Sequence, residues 1–323
     1  MEERTETLNL GDFSDKIGRI RAAVSSVIVG QEKTVDLLLT VILARGHVLI
    51  EGVPGVAKTL MARLMAKLIE ARFSRIQFTP DLMPSDILGT SVFNLKTSEF
   101  DFHRGPVFAD IVLADEINRA PAKTQAALFE VMEERQATID GVTYAMSPLY
   151  TILATQNPVE QEGTYKLPEA QLDRFLMKIT IPYPTLEEEV RILERHHAHA
   201  RLTSLEEITP ALTHAELIQL CDWVNKVYVD PTLLQYIAMI IYQTRTSKAV
   251  YLGASPRASV ALMQSAKAFA LLQGRDFITP EDVKFIAPSI LQHRLIITAE
   301  AEMEGHTPGK IVRRLIEKVE VPK

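Results

Sequence analysis

The segment Gly52-Val53-Pro54-Gly55-Val56-Ala57-Lys58-Thr59 lies between a short apolar run and a helical stretch, and that context constrains the fold more than its spelling. His47-Val48-Leu49-Ile50 reads as a buried strand ending at Glu51. Residues 59–69 place apolar side chains at helical spacing. Strand, glycine-bearing loop, lysine, hydroxyl and helix together make a phosphate cradle, because free backbone N–H groups and the positive helix end face the same anion. In such a cradle Gly52, Val53, Pro54, Gly55, Val56, Ala57 and Leu60 line the phosphates, Lys58 neutralises β/γ oxygens, and the Thr59 hydroxyl ligates magnesium. An ordinary strand-to-helix turn is the plain alternative. The residue before the lysine is usually glycine, and here it is Ala57. A positive φ there costs an alanine about 1–2 kcal/mol.

The rest of the chain supplies the context for this loop. Its 323 residues, 47% hydrophobic, suffice for one large domain or two ordinary ones. Formal net charge is −6, which argues against a surface built around nucleic-acid phosphates. The single cysteine, Cys221, permits no intrachain disulfide and fits a reducing compartment. It sits among Leu217, Leu220 and Val224 at helical spacing, as a core residue would. The acidic start at residues 1–6 carries no basic patch followed by an apolar run, so no signal peptide is expected. The longest apolar run, 37–44, is too short to span a bilayer. A soluble cytoplasmic protein without membrane insertion is the expectation.

Helical spacing covers 13–27. Val29-Gly30-Gln31 then opens a helix over 32–45, with Gly46 expected as its C-cap. Beyond it, strands at 47–51, 73–78, 110–115, 149–155 and 176–181 alternate with helices at 59–71, 121–135 and 168–175. This order predicts a mostly parallel sheet with helices on both faces, binding its ligand at the carboxyl ends of the strands. Two hairpins interrupt the alternation, over 91–103 and over 136–144, the second turning at Asp140-Gly141. They are either substrate contacts or edge decoration. After Ile181-Pro182-Tyr183-Pro184 only helical patterns follow, at 186–199, 214–227, 231–246, 256–273 and 280–287. Thr279 is the expected N-cap of the last, with Pro280 at N1. The boundary between the nucleotide-binding α/β core, 1–184, and a helical lid, 185–323, is expected near Thr185.

Chemistry-bearing residues sit at the predicted strand ends. Ile111-Val112-Leu113-Ala114 ends in Asp115-Glu116, where Asp115 suits the metal and Glu116 a general base for the attacking water. Residues 150–155 lead to Asn157, which positions that water or simply satisfies a turn before Pro158. Arg174, near the end of a short helix, can be offered to a neighbouring subunit's γ-phosphate or be a surface ion-pair residue. Arg257 opens a helix in the second region and can couple lid angle to nucleotide state. His196, His197 and His199 read as a solvated helix end rather than a metal site.

Taken in order, Val29-Gly30-Gln31, GVPGVAKT at 52–59, LADEINRAP at 113–121, ATQNP at 154–158, LPEAQLDRF at 167–175 and GASPRA at 253–258 resemble the AAA+ ATPases, and within them the MoxR family, related to the magnesium-chelatase motor subunit. The resemblance covers nearly all of the chain after about residue 12 and treats Ala57 as an ordinary residue of the loop. It implies a P-loop core followed by an all-helical lid, with ATP and Mg2+ bound and ATP hydrolysed. It implies Lys58 and Thr59 as the Walker A pair, Asp115 and Glu116 as Walker B, Asn157 as sensor 1, Arg174 as the arginine finger and Arg257 as sensor 2. Val29 and Gly30 would lie near the adenine. Gln77 or Thr79 would act as a switch on Glu116, and Arg119 across an interface. The family likeness further implies a ring, a hexamer, with a chaperone-like role on proteins bearing von Willebrand factor A domains. A magnesium-chelatase-like motor or a DNA-linked ATPase is the alternative.

Overall fold

The computed structural model describes residues 10–157, 165, 167–197 and 207–322. The acidic start at 1–6, Pro158 and His199 lie outside them. Two helices open the fold, α1 (Leu10–Val27) and α2 (Glu32–Leu43). Phe13, Ile17, Ile20 and Val24 form the buried stripe of α1, while nine consecutive-to-near residues of α2 are buried because it is covered on several sides. At the end of α2 the structure corrects the expected cap. Arg45, with φ 50°, takes the left-handed position, and the N–H groups of Arg45 and Gly46 reach back to Ile42 and Val41. Gly46 is needed for a different reason: a Cβ there would stand 2.3 Å from the Leu176 side chain.

The α/β region contains β1 (Val48–Gly52), α3 (Lys58–Leu68), β2 (Phe73–Gln77), α4 (Pro84–Leu88), β3 (Gly89–Asn94), β4 (Glu99–Arg104), β5 (Ile111–Asp115), α5 (Ala122–Glu134), β6 (Gln136–Ile139), β7 (Val142–Ala145), β8 (Thr151–Gln156), α6 (Glu169–Leu172) and β9 (Met177–Ile181). Five strands form one parallel sheet in the order β2-β5-β8-β1-β9. Strand β5 is buried along its whole length and β8 at all but its last residue, as parallel strands covered on both faces must be. The expected hairpins are present as the antiparallel pairs β3–β4 and β6–β7, and Ser91 Oγ donates to Asp140 Oδ2 across them at 2.5 Å.

Helices dominate the remainder: α7 (Leu186–His197), α8 (His214–Val224), α9 (Pro231–Thr246), then β10 (Val250–Leu252), α10 (Pro256–Leu272), α11 (Pro280–Leu291), β11 (Ile296–Ile297), α12 (Ala299–Met303) and α13 (Pro308–Lys318). Thr279 caps α11, its hydroxyl accepting from the Asp282 N–H. The short antiparallel ribbon β10–β11 has too few residues to leave a periodic signal, which is why the sequence pattern reads this stretch as helical only. One apolar core runs from α1 and α2, through the β1 face and α3, into α8–α11 and α13. A second lies between the other sheet face and α5.

Candidate active site

The phosphate loop connects β1 to α3 at the carboxyl edge of the sheet. Ala57 is the N-cap of α3 with φ 59° and ψ 25°, so the conformation that favours glycine is imposed on an alanine. Lys58 folds back and donates from Nζ to the Gly52 carbonyl at 2.7 Å, which places the ammonium inside the curve of the loop. Thr59 occupies the first turn of α3, where uncompensated N–H groups point outward. Beside the loop lies a cleft of about 620 Å³, lined mainly by Val29, Pro54, Val56, Leu60, Tyr183 and Ile192. Gly30, with φ 73°, adjoins it, and the Glu188 carboxylate of α7 packs so close that a Cβ on Gly30 would meet Oε1 at 2.0 Å.

Next to β1 in the sheet is β8, and next to β8 is β5. Their carboxyl ends therefore bring Asn157 and the pair Asp115-Glu116 to the same edge as the loop. Asp115 is buried; its Oδ1 accepts from the Thr155 hydroxyl at 2.5 Å and its Oδ2 from Arg75 Nη2 at 2.6 Å. Thr155 also accepts from the Glu116 N–H at 2.9 Å, so one hydroxyl fixes both acids. Glu116 adopts a left-handed φ of 57°. Its Oε2 accepts from Gln77 Nε2 at 2.9 Å and meets Arg119 Nε at 3.2 Å. Of the two switch candidates, Gln77 touches Glu116. Arg119 rests on the same carboxylate within its own chain. Asn157 is buried at the end of β8.

The two remaining arginines lie elsewhere. Arg174 precedes β9, whose first residue, Met177, pairs with Val48, the first residue of β1. It stands at the amino edge of the sheet, about 16 Å of strand away from the phosphate loop at ~3.3 Å per residue. There its Nη1 donates to the Phe129 carbonyl at 2.5 Å and its Nε lies 3.9 Å from Glu133. Arg257, at the start of α10, reaches the same Glu133 at 3.5 Å and is largely exposed. The structure thus brings Lys58, Thr59, Asp115, Glu116 and Asn157 together, and sets Arg174 and Arg257 on a separate edge. Arg75 and Thr155 carry no motif signal; their part follows from strand order, which aligns Gln77 with Asp115 and sets β8 beside β5.

The donor set fits magnesium and a nucleoside triphosphate: a loop leading into the N-terminus of an 11-residue helix, one lysine, one hydroxyl and one buried carboxylate held in place by two donors.

Comparison with known proteins agrees with this architecture. The family model of the ATPases associated with various cellular activities (AAA) matches residues 47–177, and an AAA lid domain model matches 242–315. YeaC of Bacillus subtilis, itself uncharacterised, is 46% identical over 311 residues, 96% of each chain. The chaperone MoxR1 of Mycobacterium tuberculosis is 42% identical over 93% of this chain and 80% of its own. The crystal structure of a candidate ATPase from Cytophaga hutchinsonii superposes with a TM-score of 0.88, at 40% identity and 97% coverage of both chains. With its parallel core, helical lid and phosphate loop, the chain belongs to the MoxR family of AAA+ ATPases and is an ATP-hydrolysing enzyme.

Proposed function

We propose that this ATPase works as a ring, a hexamer in which each ATP is held by one chain and completed by the next, and that it remodels or matures partner proteins in the manner of a chaperone. The observation that carries the ring is the position of Arg174 at the sheet edge opposite its own phosphate loop. An arginine so placed serves a neighbour's γ-phosphate, and Arg257 beside it on Glu133 faces the same way. The similarity to the chaperone MoxR1 supports the remodelling role. Proteins bearing von Willebrand factor A domains are the proposed clients, on family likeness. No helix among the described residues is long and apolar enough to cross a membrane, in keeping with a proposed cytoplasmic location.

In the proposed mechanism Lys58 leaves the Gly52 carbonyl for the β/γ oxygens, and Val29 and Gly30 adjoin the base. Thr59 and Asp115 hold magnesium, which neutralises phosphate charge when bound. Glu116 takes the proton of the attacking water once Gln77 and Arg119 release its carboxylate. Asn157 orients that water. Arg174 from the adjoining chain stabilises the charge on the transferring group, an effect worth about 10³–10⁵ in rate.

The Glu116→Gln protein tests the reading. It is expected to bind ATP, fail to hydrolyse it and hold clients for identification, whereas wild-type specific activity rises with protein concentration as rings form. Activity independent of concentration, or recovery of DNA alone, overturns the proposal.

A further inference from the structure

The loop that carries Arg174 is held by the helical region of its own chain. Immediately after α11, Gln292, His293 and Arg294 turn onto residues 173–178. Gln292 Nε2 donates to the Lys178 carbonyl at 2.6 Å, and buried His293 donates from Nε2 to the Phe175 carbonyl at 3.0 Å. Arg294 is 5% exposed at its side chain. Its Nε donates to Asp173 Oδ1 at 2.7 Å, Nη1 to the carbonyls of Leu176 at 3.0 Å and Ile290 at 2.5 Å, and Nη2 to those of Asp173 at 3.2 Å and Phe175 at 2.7 Å. A guanidinium has five N–H donors, and here five acceptors meet them. Three lie on the residues that flank Arg174 and one on the Asp173 side chain; the fifth, Ile290, belongs to α11. The loop and the turn together border an open cleft of about 740 Å³, lined by Leu172, Asp173, His293 and Arg294 with Leu252 and Gly253. The turn at 292–294 is therefore a principal support for this loop from the helical region.

We infer that Arg294 is the positioning residue for Arg174: it fixes the finger's loop to α11, so that the lid of one chain sets the arginine presented to the next chain's nucleotide. This rests on the reading of Arg174 as a finger acting between chains. The geometry explains why arginine is required. A lysine keeps the charge but offers three donors from one point, and cannot bridge Asp173, Phe175, Leu176 and Ile290 together. A displacement of the finger by about 1 Å is enough to lower the rate by about 10²-fold.

Mixed rings separate this role from a general loss of stability. An Arg174→Ala chain keeps a complete nucleotide site without a finger, and a Glu116→Gln chain keeps its finger without a base. Mixing them restores ATP hydrolysis; if it does not, the shared-site reading fails. Arg294→Gln is then added to one chain at a time. On the Glu116→Gln chain, the finger donor, it is expected to lower the restored rate by about 10²-fold. On the Arg174→Ala chain it leaves the restored rate within about twofold, since that chain's finger is already gone. Equal losses in both arms, or no loss in the donor arm, overturn the inference while leaving the shared site intact. Arg294→Lys is read in the same two arms and decides the matter where Arg294→Gln does not fold. It is expected to show the donor-arm loss as well.

Discussion

Ala57 carries backbone strain at the mouth of the phosphate loop. Its φ of 59° costs an L-residue about 1–2 kcal/mol, whereas glycine there would give up about 0.5–1 kcal/mol of chain entropy on folding. Ala57→Gly is therefore expected to raise the stability of the nucleotide-free protein by up to about 1.5 kcal/mol, measured by chemical denaturation. A loss of stability would mean that the methyl group contributes more by packing than the angle costs. The sequence signals this position through the departure from glycine, while the angle itself comes from the turn between β1 and α3. Cys221 is legible outright: it is buried, burial pushes its thiol up to about 11, and its helical neighbours already implied a core role.

Among the elements, β8 organises the acids. Thr155 is fully buried, and its single hydroxyl donates to Asp115 and accepts from the Glu116 N–H. Thr155→Val keeps the shape but leaves that N–H unmatched, at about 1–3 kcal/mol. It is expected to lower kcat by about 10²-fold while ATP affinity changes only a few-fold; an unchanged kcat would show that Asp115 and Glu116 hold their places without it. Strand positions were readable from apolar runs ending in polar residues. Thr155 was not, because a threonine inside an apolar strand looks like any β-branched core residue until its neighbour strand is known. The β10–β11 ribbon was hidden for lack of length, and the cap at Arg45 because arginine gives no sign of adopting a left-handed angle.

At the scale of the whole molecule, the helical region shares a core with the sheet through α2; one buried histidine, His47, lies within the α/β region, and another, His293, where the helical region meets it. His47 accepts from the Ile152 N–H at Nδ1 and donates to the Met132 carbonyl from Nε2; burial, with Arg135 nearby, pulls its pKa down to about 3. His293 is held well below the usual range by burial, with Arg294 adding to the effect. Both stay neutral in the folded chain while the unfolded chain takes up protons below about pH 6.5. Stability is therefore lost as pH falls from about 6.5, by about 1.4 kcal/mol per pH unit for each histidine. His47→Gln is expected to reduce the slope of unfolding free energy between about pH 6 and 4 by about one proton; an unchanged slope would show that His47 is protonated in the folded state. Carboxylates held low, such as Asp110 at about 2, where burial is outweighed by the Arg72 guanidinium, Ser147 and the Arg72 N–H acting together, lose their contribution only below that window.

The sequence by itself determined the phosphate loop, the acids at 115–116, the amide at 157, the alternation of strands and helices in the α/β region and both hairpins, because each leaves a local mark: a period, a turn dipeptide or a polar residue closing an apolar run. Only the tertiary structure decided which residues meet. Sheet order put Thr155 and Arg75 on Asp115. The parallel run of β9 beside β1 put Arg174 at the edge opposite its own loop, and α11 brought Arg294 to the loop around it. The Arg75–Asp115, Thr155–Asp115 and Arg294–Asp173 contacts join residues 40 to 121 positions apart, and no local pattern encodes a contact that depends on where a strand or helix is carried by the rest of the chain.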